Sequence, residues 1–286
     1  MKIVLSRKGF DSSAGGCPSP VFDNNRFLSL PIPDKHSPVF YKDLEFEGLN
    51  VGELVSQLTG NTKRKEHRAH LDPDLDPHLV QRQSGWRPSL GQMAQAQAHL
   101  HNQGVSEGDL FLFFGLFQGA EKINGTWRFK RRSRRFHAIW GWLQIGEVRS
   151  VNEQLAERFP WVRTHPHWTK RQETNNVLYI GRDRLDLGPP RCEHSGAGVF
   201  PQLNEALRLT AEGSHKTSSW KLPAFFYPDE GRPPLSFHRN LDKWQKNGEQ
   251  CSLQSASRGQ EFVLDAEYYP EAASWAYQLI TNNSLP

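Results

Sequence analysis

Apolar residues along the chain occur mostly in short runs with the spacing of strands. The first run, Lys2 to Leu5, is rich in β-branched residues and predicts a buried strand before a polar loop. Two longer runs at 109–117 and 136–151 flank the pair Asn124–Gly125, a strong hairpin signal. Further strands are predicted over 26–33, over 177–181 and from residue 261. The middle of the chain is therefore predicted to be β-rich.

Helical spacing appears in fewer places. Apolar residues three and four apart predict a helix over 50–58. The Ala-rich segment 89–104 predicts a second helix, with Ser89 as its N-cap and Gly104 as its terminating residue. Two more helices are predicted over 151–159 and after Pro270, and a helix or helix-like turn is predicted over 200–210.

The order of these elements lacks the regular alternation of strand and helix that produces a parallel sheet. It predicts an α+β fold in which helices flank a mixed, largely antiparallel sheet or a partly open barrel. Neither a repeat nor a low-complexity linker divides the sequence. We therefore expect one domain over residues 1–286.

Composition narrows the class of protein. The 286 residues are 36% hydrophobic, enough to bury a core, and no apolar run approaches the roughly 18 residues of a membrane helix. The first ten residues lack the apolar stretch of a secretory signal. The cysteines, Cys17, Cys192 and Cys251, are far apart and form no CxxC pair. These observations predict a cytoplasmic protein with no membrane partner and no disulfide framework.

Positive charge is concentrated in one segment. Six cations lie within eight residues: Arg128, Lys130, Arg131, Arg132, Arg134 and Arg135. They exceed the net charge of the whole chain, +4, so the remainder is slightly acidic. Aromatic residues alternate with them, and cations with aromatic rings are the combination that binds phosphates and unstacked bases. We predict a nucleic-acid-binding segment here; the alternative is a solvated hairpin whose aromatic rings face the core.

The polar loop behind the first strand is a candidate phosphate site. Glycines permit close approach of a ligand to backbone N–H groups, and cations and hydroxyls add charge and donors. The candidate ligand-binding residues are Ser6, Arg7, Lys8, Ser12, Ser13, Gly15 and Gly16. The spacing is not that of a P-loop, and a well-capped surface turn is the alternative.

Several acidic and histidine residues are candidates for acid–base chemistry. Asp72, Asp74 and Asp76 alternate with other residues between His70 and His78, so three carboxylates could converge on a metal or on one another. A solvated acidic turn is the alternative. His165, His167 and His238 are further candidates, but no third ligand accompanies the His165–His167 pair in sequence, so no metal ligand set is assigned.

Many of these stretches together resemble one family. The chain is similar to the nucleotide modification-associated domain family, type three, through KIVLSRKGFDSSAGGCPSP, HLDPDL, GWRPSLGQMAQAQAHL, GDLFLFFGLF, AIWGWLQIG, HPHW, NNVLYIG and SSWKLPAFFYP. The resemblance spans nearly the whole chain and implies a bacterial or phage protein associated with modification of DNA bases. Separately, GDLFLFFG and WLQIGEV are similar to the strand pair of PUA-like barrels, which bind modified bases or RNA.

Three hypotheses follow from these residues and the resemblance. In the first, the protein is an enzyme acting on a nucleotide or DNA base: Arg7 and Lys8 hold phosphate, Asp11 or Asp72 is the acid–base group, and Gln92 or His238 orients the substrate. In the second, it is a non-catalytic reader of modified bases. In the third, it is a structural partner of other proteins in a modification or defence system. No cofactor is assigned.

Overall fold

The computed structural model describes residues 1–188, 193–229 and 231–284 and has the predicted α+β architecture. Cys192 lies outside these residues, whereas Cys17 and Cys251 are buried free thiols. The strands are β1 Lys2–Arg7, β2 Ser19–Val21, β3 Ile32–Pro33, β4 Glu45–Phe46, β5 Leu49–Asn50, β6 Ala69–His70, β7 Ser89–Gln92, β8 Leu110–Ile123, β9 Thr126–Phe129, β10 Phe136–Ser150, β11 Val177–Gly181, β12 Ala197–Val199, β13 Ser219–Pro223, β14 Trp244–Asn247, β15 Gln250–Gln254 and β16 Glu261–Asp265.

The helices are shorter than the two longest strands of the central sheet, β8 and β10. The α-helices are α1 Val51–Thr59, α2 Ala94–Asn102, α3 Glu153–Arg158 and α4 Glu271–Thr281. The 3-10 helices are Tyr41–Asp43, Thr62–Glu66, Pro160–Thr164, Pro166–Lys170, Glu205–Leu207, Ala224–Phe226 and Leu241–Lys243. Within the described ranges, none of the helices is both long and apolar enough to span a bilayer.

A mixed, mostly antiparallel sheet forms the centre of the molecule. Its main path runs β16-β1-β8-β10-β11-β7, and β1 and β2 pair with β8 in parallel. The end strands β16 and β7 do not pair through their backbones, so the sheet is not closed into a barrel. Side chains bridge the ends instead, because Gln92 on β7 donates a hydrogen bond to Glu261 on β16. The main hydrophobic core packs around this curved sheet.

The predicted hairpin in the middle of the chain is confirmed. Strands β8 and β9 pair antiparallel through Ile123 and Thr126, on either side of the turn. Asn124 and Gly125 both have positive φ, 48° and 81°, as the two central residues of a type I′ turn require. The strands predicted at Lys2 to Leu5 and 177–181, and the helix after Pro270, are also observed.

The structure corrects three sequence expectations. Segment 89–104 is not one helix: Ser89–Gln92 pairs with β11, and helix α2 begins only at Ala94. Sheet pairing satisfies backbone groups that a helix would otherwise have used, so tertiary context overrides the local preference. The strand expected over 26–33 is reduced to Ile32–Pro33. The helix or helix-like turn expected over 200–210 is the shorter 3-10 turn Glu205–Leu207.

A buried histidine joins the central sheet to the smaller sheet β13-β15-β14. His137 on β10 accepts a hydrogen bond through Nδ1 from Trp220 Nε1 on β13, at 3.0 Å. The Trp220 ring also packs edge-on against Phe114 of β8, with centroids 5.0 Å apart. Burial, reinforced by the nearby charge of Arg7, lowers the pKa of His137 to about 3.

We predict that this histidine makes stability depend on pH. The pKa of an unfolded histidine is about 6.5, so between pH 6.5 and 3 the unfolded chain binds more protons than the folded one. His137 should therefore lower the free energy of unfolding as pH falls through that window, by up to about 1.4 kcal/mol per pH unit. In urea titrations at several pH values, His137→Asn should flatten this dependence, since its amide oxygen can still accept from Trp220. The matched control is His101→Asn at an exposed position; equal slopes for wild type and His137→Asn would contradict the prediction.

Candidate functional site

A cavity of about 1070 Å³ opens in the described part of the chain. Six aromatic residues contribute to its wall: Phe27, Phe46, Trp86, Trp140, Trp142 and Phe200. Gly9 from the loop behind β1 reaches this wall, and so does Asp72 from the acidic turn. The cavity therefore combines apolar surfaces with carboxylates, of which Asp72 is one.

Asp72 is the polar centre of this region. Its side chain is only 4% exposed, and its Oδ1 accepts a hydrogen bond from the Gly91 backbone N–H at 2.7 Å. Three imidazole nitrogens lie near the carboxylate: His165 Nε2 is 3.4 Å from Oδ1, while His167 Nε2 and His70 Nε2 are 3.5 and 3.6 Å from Oδ2. The donor atoms of His70, Asp72 and His167 all lie within 4.8 Å of one another.

The outer ring nitrogens of two of these histidines are hydrogen-bonded to acceptors. His70 Nδ1 lies 2.8 Å from Asp34 Oδ2, and His167 Nδ1 lies 2.6 Å from Asn176 Oδ1. The Asn176 amide nitrogen donates to the carbonyls of His167 and Lys170, so its oxygen is the acceptor toward the ring. Each Nδ1 therefore carries a proton, and in the neutral ring each Nε2 presents a lone pair toward Asp72.

Burial and these contacts set the charges of the cluster. Burial disfavours the charged Asp72 carboxylate, but contacts with His165 and His167 outweigh burial and hold its pKa well below the usual value. Burial lowers the pKa of His167, which favours the neutral ring. Burial also acts against protonation of His70, but its bonds to Asp34 and Asp72 outweigh this and raise its pKa. The cluster thus contains an ionised carboxylate beside a neutral imidazole.

Long-range pairing brings these residues together. β6 pairs with β3, with His70 opposite Ile32, which places the following Asp34 beside the His70 ring. β7 pairs with β11 and presents Gly91 to His167, and a Cβ built on Gly91 would lie 2.3 Å from that ring. The 3-10 helices that flank His165 and carry His167 pack through Trp161 and Val162 on a separate apolar cluster.

The three aspartates of the acidic turn do not converge. Asp74 binds Arg82 through two hydrogen bonds of 2.6 Å and also accepts from the Trp86 indole. Asp76 caps the backbone N–H of His78 at the surface. Of the three aspartates, only Asp72 points into the histidine cluster. The residues before it and the residues after it pair with different parts of the chain.

The loop behind β1 borders a second, smaller pocket of about 250 Å³. Arg7 donates to the carbonyls of Ala256 and Ser257 and lies over the rings of Phe114 and Phe262. Asp11 accepts from the N–H groups of Ser13 and Ala14 and from the Ser13 hydroxyl. Ser12 and Ser13 are exposed, Ser6 is buried, and Gly15 and Gly16 have positive φ. Gly9 is the residue of this loop that lines both concavities.

Lys8 and Gln92 belong to a buried network at the junction of the sheet ends. Lys8 Nζ is 3.0 Å from Glu261 Oε1, to which Gln92 also donates. The Glu261 side chain is 1% exposed. Phosphate binding by Lys8 and substrate orientation by Gln92 therefore stay predictions, while the observed role of both is to satisfy a buried carboxylate.

Both ring nitrogens of His238 also form hydrogen bonds within the protein. Its Nδ1 lies 2.8 Å from the Ser236 carbonyl, and its Nε2 accepts from the Ala256 N–H at 2.9 Å. Burial lowers its pKa. Neither ring nitrogen is left for a substrate in this arrangement, so its catalytic role also stays a prediction.

The basic segment lies on the surface. Within the described ranges, the exposed side chains of Arg128, Arg131 and Arg132 form neither an ion pair nor a hydrogen bond. Lys130 binds Asp23, in the turn that leads to Arg26 and Phe27 at the cavity wall. Arg134 donates to the Gly213 carbonyl, and Arg135 to Gln118. The aromatic rings near this segment face inward, since Phe136 and Trp140 are 7% and 8% exposed.

Sequence reasoning missed the ligand geometry of the cluster. His70, His165 and His167 were noted separately, but Asp34 and Asn176 carried no signal. The motifs HLDPDL and HPHW were the only available clue, because both combine metal-ligand residue types. Nothing in their spacing connects the two segments.

Comparison with known families gives one match. The model of the family described as nucleotide modification associated domain 3 matches residues 2–265. No curated protein and no solved structure matches the chain.

The network around Glu261 generates a stability prediction. Lys8→Met should lower the free energy of unfolding by about 3 kcal/mol, because it leaves a buried carboxylate without its cation. The double variant Lys8→Met with Glu261→Gln should recover most of that loss in urea unfolding. Lys35→Met, at an exposed position, is the matched control. If Lys8→Met were as stable as the control, Lys8 would be free for a ligand and the network would not be structural.

Proposed function

The chain belongs to the nucleotide modification associated domain 3 family, and from that premise we propose that it is an enzyme that modifies a nucleobase or nucleotide held in the aromatic cavity. The observation that carries the proposal is the position of Asp72, which joins the cavity wall to the histidine cluster. This location differs from the loop behind β1, whose cations are engaged in internal contacts.

The size and wall of the cavity support a nucleobase as ligand. Small-molecule sites typically have volumes of about 300–1,000 Å³, and the volume of this cavity, about 1070 Å³, is slightly above that range. Trp86, Trp140 and Trp142 are among the residues that line it. Stacking on aromatic side chains is the usual way in which proteins hold an unstacked base, and it tolerates different bases because each has a π-face.

The histidine cluster supports catalysis. An ionised carboxylate and a neutral imidazole can each accept a proton, and general acid–base groups typically contribute about 10²–10⁴-fold to a rate. Asp72 lines the cavity, and His167 lies directly behind it, with Nε2 3.5 Å from the carboxylate. We assign Asp72 as the group nearest the reacting base and the histidines as the groups that hold its charge and orientation.

A second candidate function is a non-catalytic reader of modified bases, and the free cations of the basic segment favour it. Arg128, Arg131 and Arg132 can contact phosphates without breaking an internal contact. The same segment also serves the enzyme hypothesis, because Lys130 and Asp23 connect it to the cavity rim. A polynucleotide bound there could place one base in the cavity.

The enzyme hypothesis is tested with Asp72→Asn, which keeps the shape of the side chain and removes its charge. DNA, RNA and free nucleotides are each incubated with purified protein and a protein-free extract of small molecules, and the nucleosides are then analysed by mass spectrometry. The wild type should produce a nucleoside of new mass, and Asp72→Asn should reduce its yield at least about 100-fold.

Asp242→Asn, at an exposed position, is the matched control and should behave as the wild type. Melting curves verify that each variant is folded. Unchanged nucleosides with the wild type across all substrates, or equal product with Asp72→Asn, would overturn the enzyme proposal.

Nucleic-acid binding is tested with the double variant Arg131→Ala and Arg132→Ala. If both cations contact phosphates, the slope of log K against log salt should decrease in magnitude by about 1.8 for duplex DNA or about 1.4 for a single strand. Fluorescence anisotropy at several salt concentrations measures this slope. Arg239→Ala with Lys243→Ala removes the same charge from an exposed site outside the segment. Identical slopes for the two double variants would exclude a specific role of the basic segment.

A further inference from the structure

His70 and His167 direct unshared electron pairs at a carboxylate, an arrangement that direct contact alone does not stabilise. Their Nδ1 protons are used by Asp34 and Asn176, so in neutral rings neither Nε2 has a proton to offer to Asp72 Oδ2. Three electron-pair donors thus face a common point while buried from water. A cation between them would satisfy all three electron-pair donors at once.

We propose that His70 Nε2, Asp72 Oδ2 and His167 Nε2 bind a divalent first-row transition-metal ion. The two nitrogens lie 3.6 and 3.5 Å from the carboxylate oxygen. Nitrogen and oxygen ligands bind such ions at about 2.0–2.2 Å, so two ligands of a tetrahedral ion lie roughly 3.4 Å apart. The spacing therefore accommodates an ion with only small shifts of the side chains.

The donor set selects the class of ion. Imidazole nitrogen suits Zn²⁺, Fe²⁺, Co²⁺ and similar ions, whereas Mg²⁺ and Ca²⁺ prefer oxygen ligands alone. Two histidines and one carboxylate leave at least one coordination position for water or substrate, as in catalytic rather than closed structural sites. Asp72 also lines the cavity. Only the Asp72 side chain would therefore separate this ion from a ligand in the cavity.

The surrounding residues have the roles expected around a metal ion. Metal-bound histidines almost always donate their second ring N–H to a carboxylate, a carbonyl or water. Asp34 and the Asn176 side-chain oxygen do this for His70 and His167. The Gly91 N–H and His165 Nε2 face the other carboxylate oxygen, Oδ1, and so orient Asp72. His165 Nδ1 accepts the His167 backbone N–H, which leaves its proton on Nε2.

The test measures metal binding directly. The full chain is purified without chelator, and its metal content is determined by elemental mass spectrometry. The stripped protein is then titrated with Co²⁺ as a spectroscopic probe and, anaerobically, with Fe²⁺ and Zn²⁺. We expect one ion per chain, a visible Co²⁺ absorption band typical of nitrogen and oxygen ligands, and a melting temperature that rises with metal concentration.

His70→Asn and His167→Asn are the key variants. Asparagine can keep the hydrogen bond on the Nδ1 side of the ring while it removes Nε2. Each should weaken binding by more than the roughly 10–100-fold known for outer-shell partners. Asp34→Asn keeps every ligand, remains informative if a ligand variant fails to fold, and should weaken binding by about 10–100-fold. His215→Asn, at an exposed position, is the matched control and should bind as the wild type.

The outcomes separate this proposal from the proposed function. No binding to the wild type at micromolar metal, or equal binding by His167→Asn and His215→Asn, would overturn the metal site. A catalytic role for the ion rests on the proposed function, but its binding does not. Metal binding without any modified nucleoside would remove the enzyme proposal alone. Modification that persists in metal-free protein, with binding intact, would remove the catalytic role of the ion alone.

Discussion

Burial of the Asp72 carboxylate constrains the whole site. An ionised carboxylate removed from water is costly unless hydrogen bonds or opposite charge compensate it. Here the Gly91 N–H supplies one hydrogen bond, and three imidazoles surround the group. Each neighbour must then be held in place, which requires a residue without a side chain at Gly91 and a partner for the outer nitrogen of each facing ring. The site is therefore a network, and no single element of secondary structure could produce it.

Two other buried carboxylates compensate the free-energy cost of burial in a different way. Asp74 is paired with Arg82, and Glu261 with Lys8, so each has a permanent cation beside it. In each pair the two opposite charges balance, and the pair stabilises the fold. Among the described residues, no lysine or arginine lies in the equivalent position beside Asp72. Its neighbours are imidazoles, whose charge can change or whose lone pairs can bind an ion. This difference explains why we assign chemistry to Asp72 and structural roles to the other two.

The loop behind β1 illustrates how a functional pattern can serve the fold. Its glycines, cations and carboxylate match a phosphate-binding loop in composition, yet Arg7 packs between aromatic rings and Lys8 satisfies Glu261. The loop still contributes Gly9 to the cavity wall. Composition alone cannot distinguish a cation that is free to bind a ligand from one that already has a partner within the protein. The partner residues of Arg7 lie about 250 positions away in sequence.

Local pattern determined the parts of the fold whose stability is local. The turn at Asn124–Gly125, the strand Lys2 to Leu5 and the helix after Pro270 follow from backbone preferences and spacing, and the structure confirms them. The family resemblance, the α+β class and the concentration of basic charge were also evident from sequence. Tertiary structure alone decided that segment 89–104 begins as a strand, because β11 supplies its hydrogen-bond partners. It also decided that HLDPDL meets HPHW, since spacing describes neighbours along the chain and a binding site depends on neighbours in space.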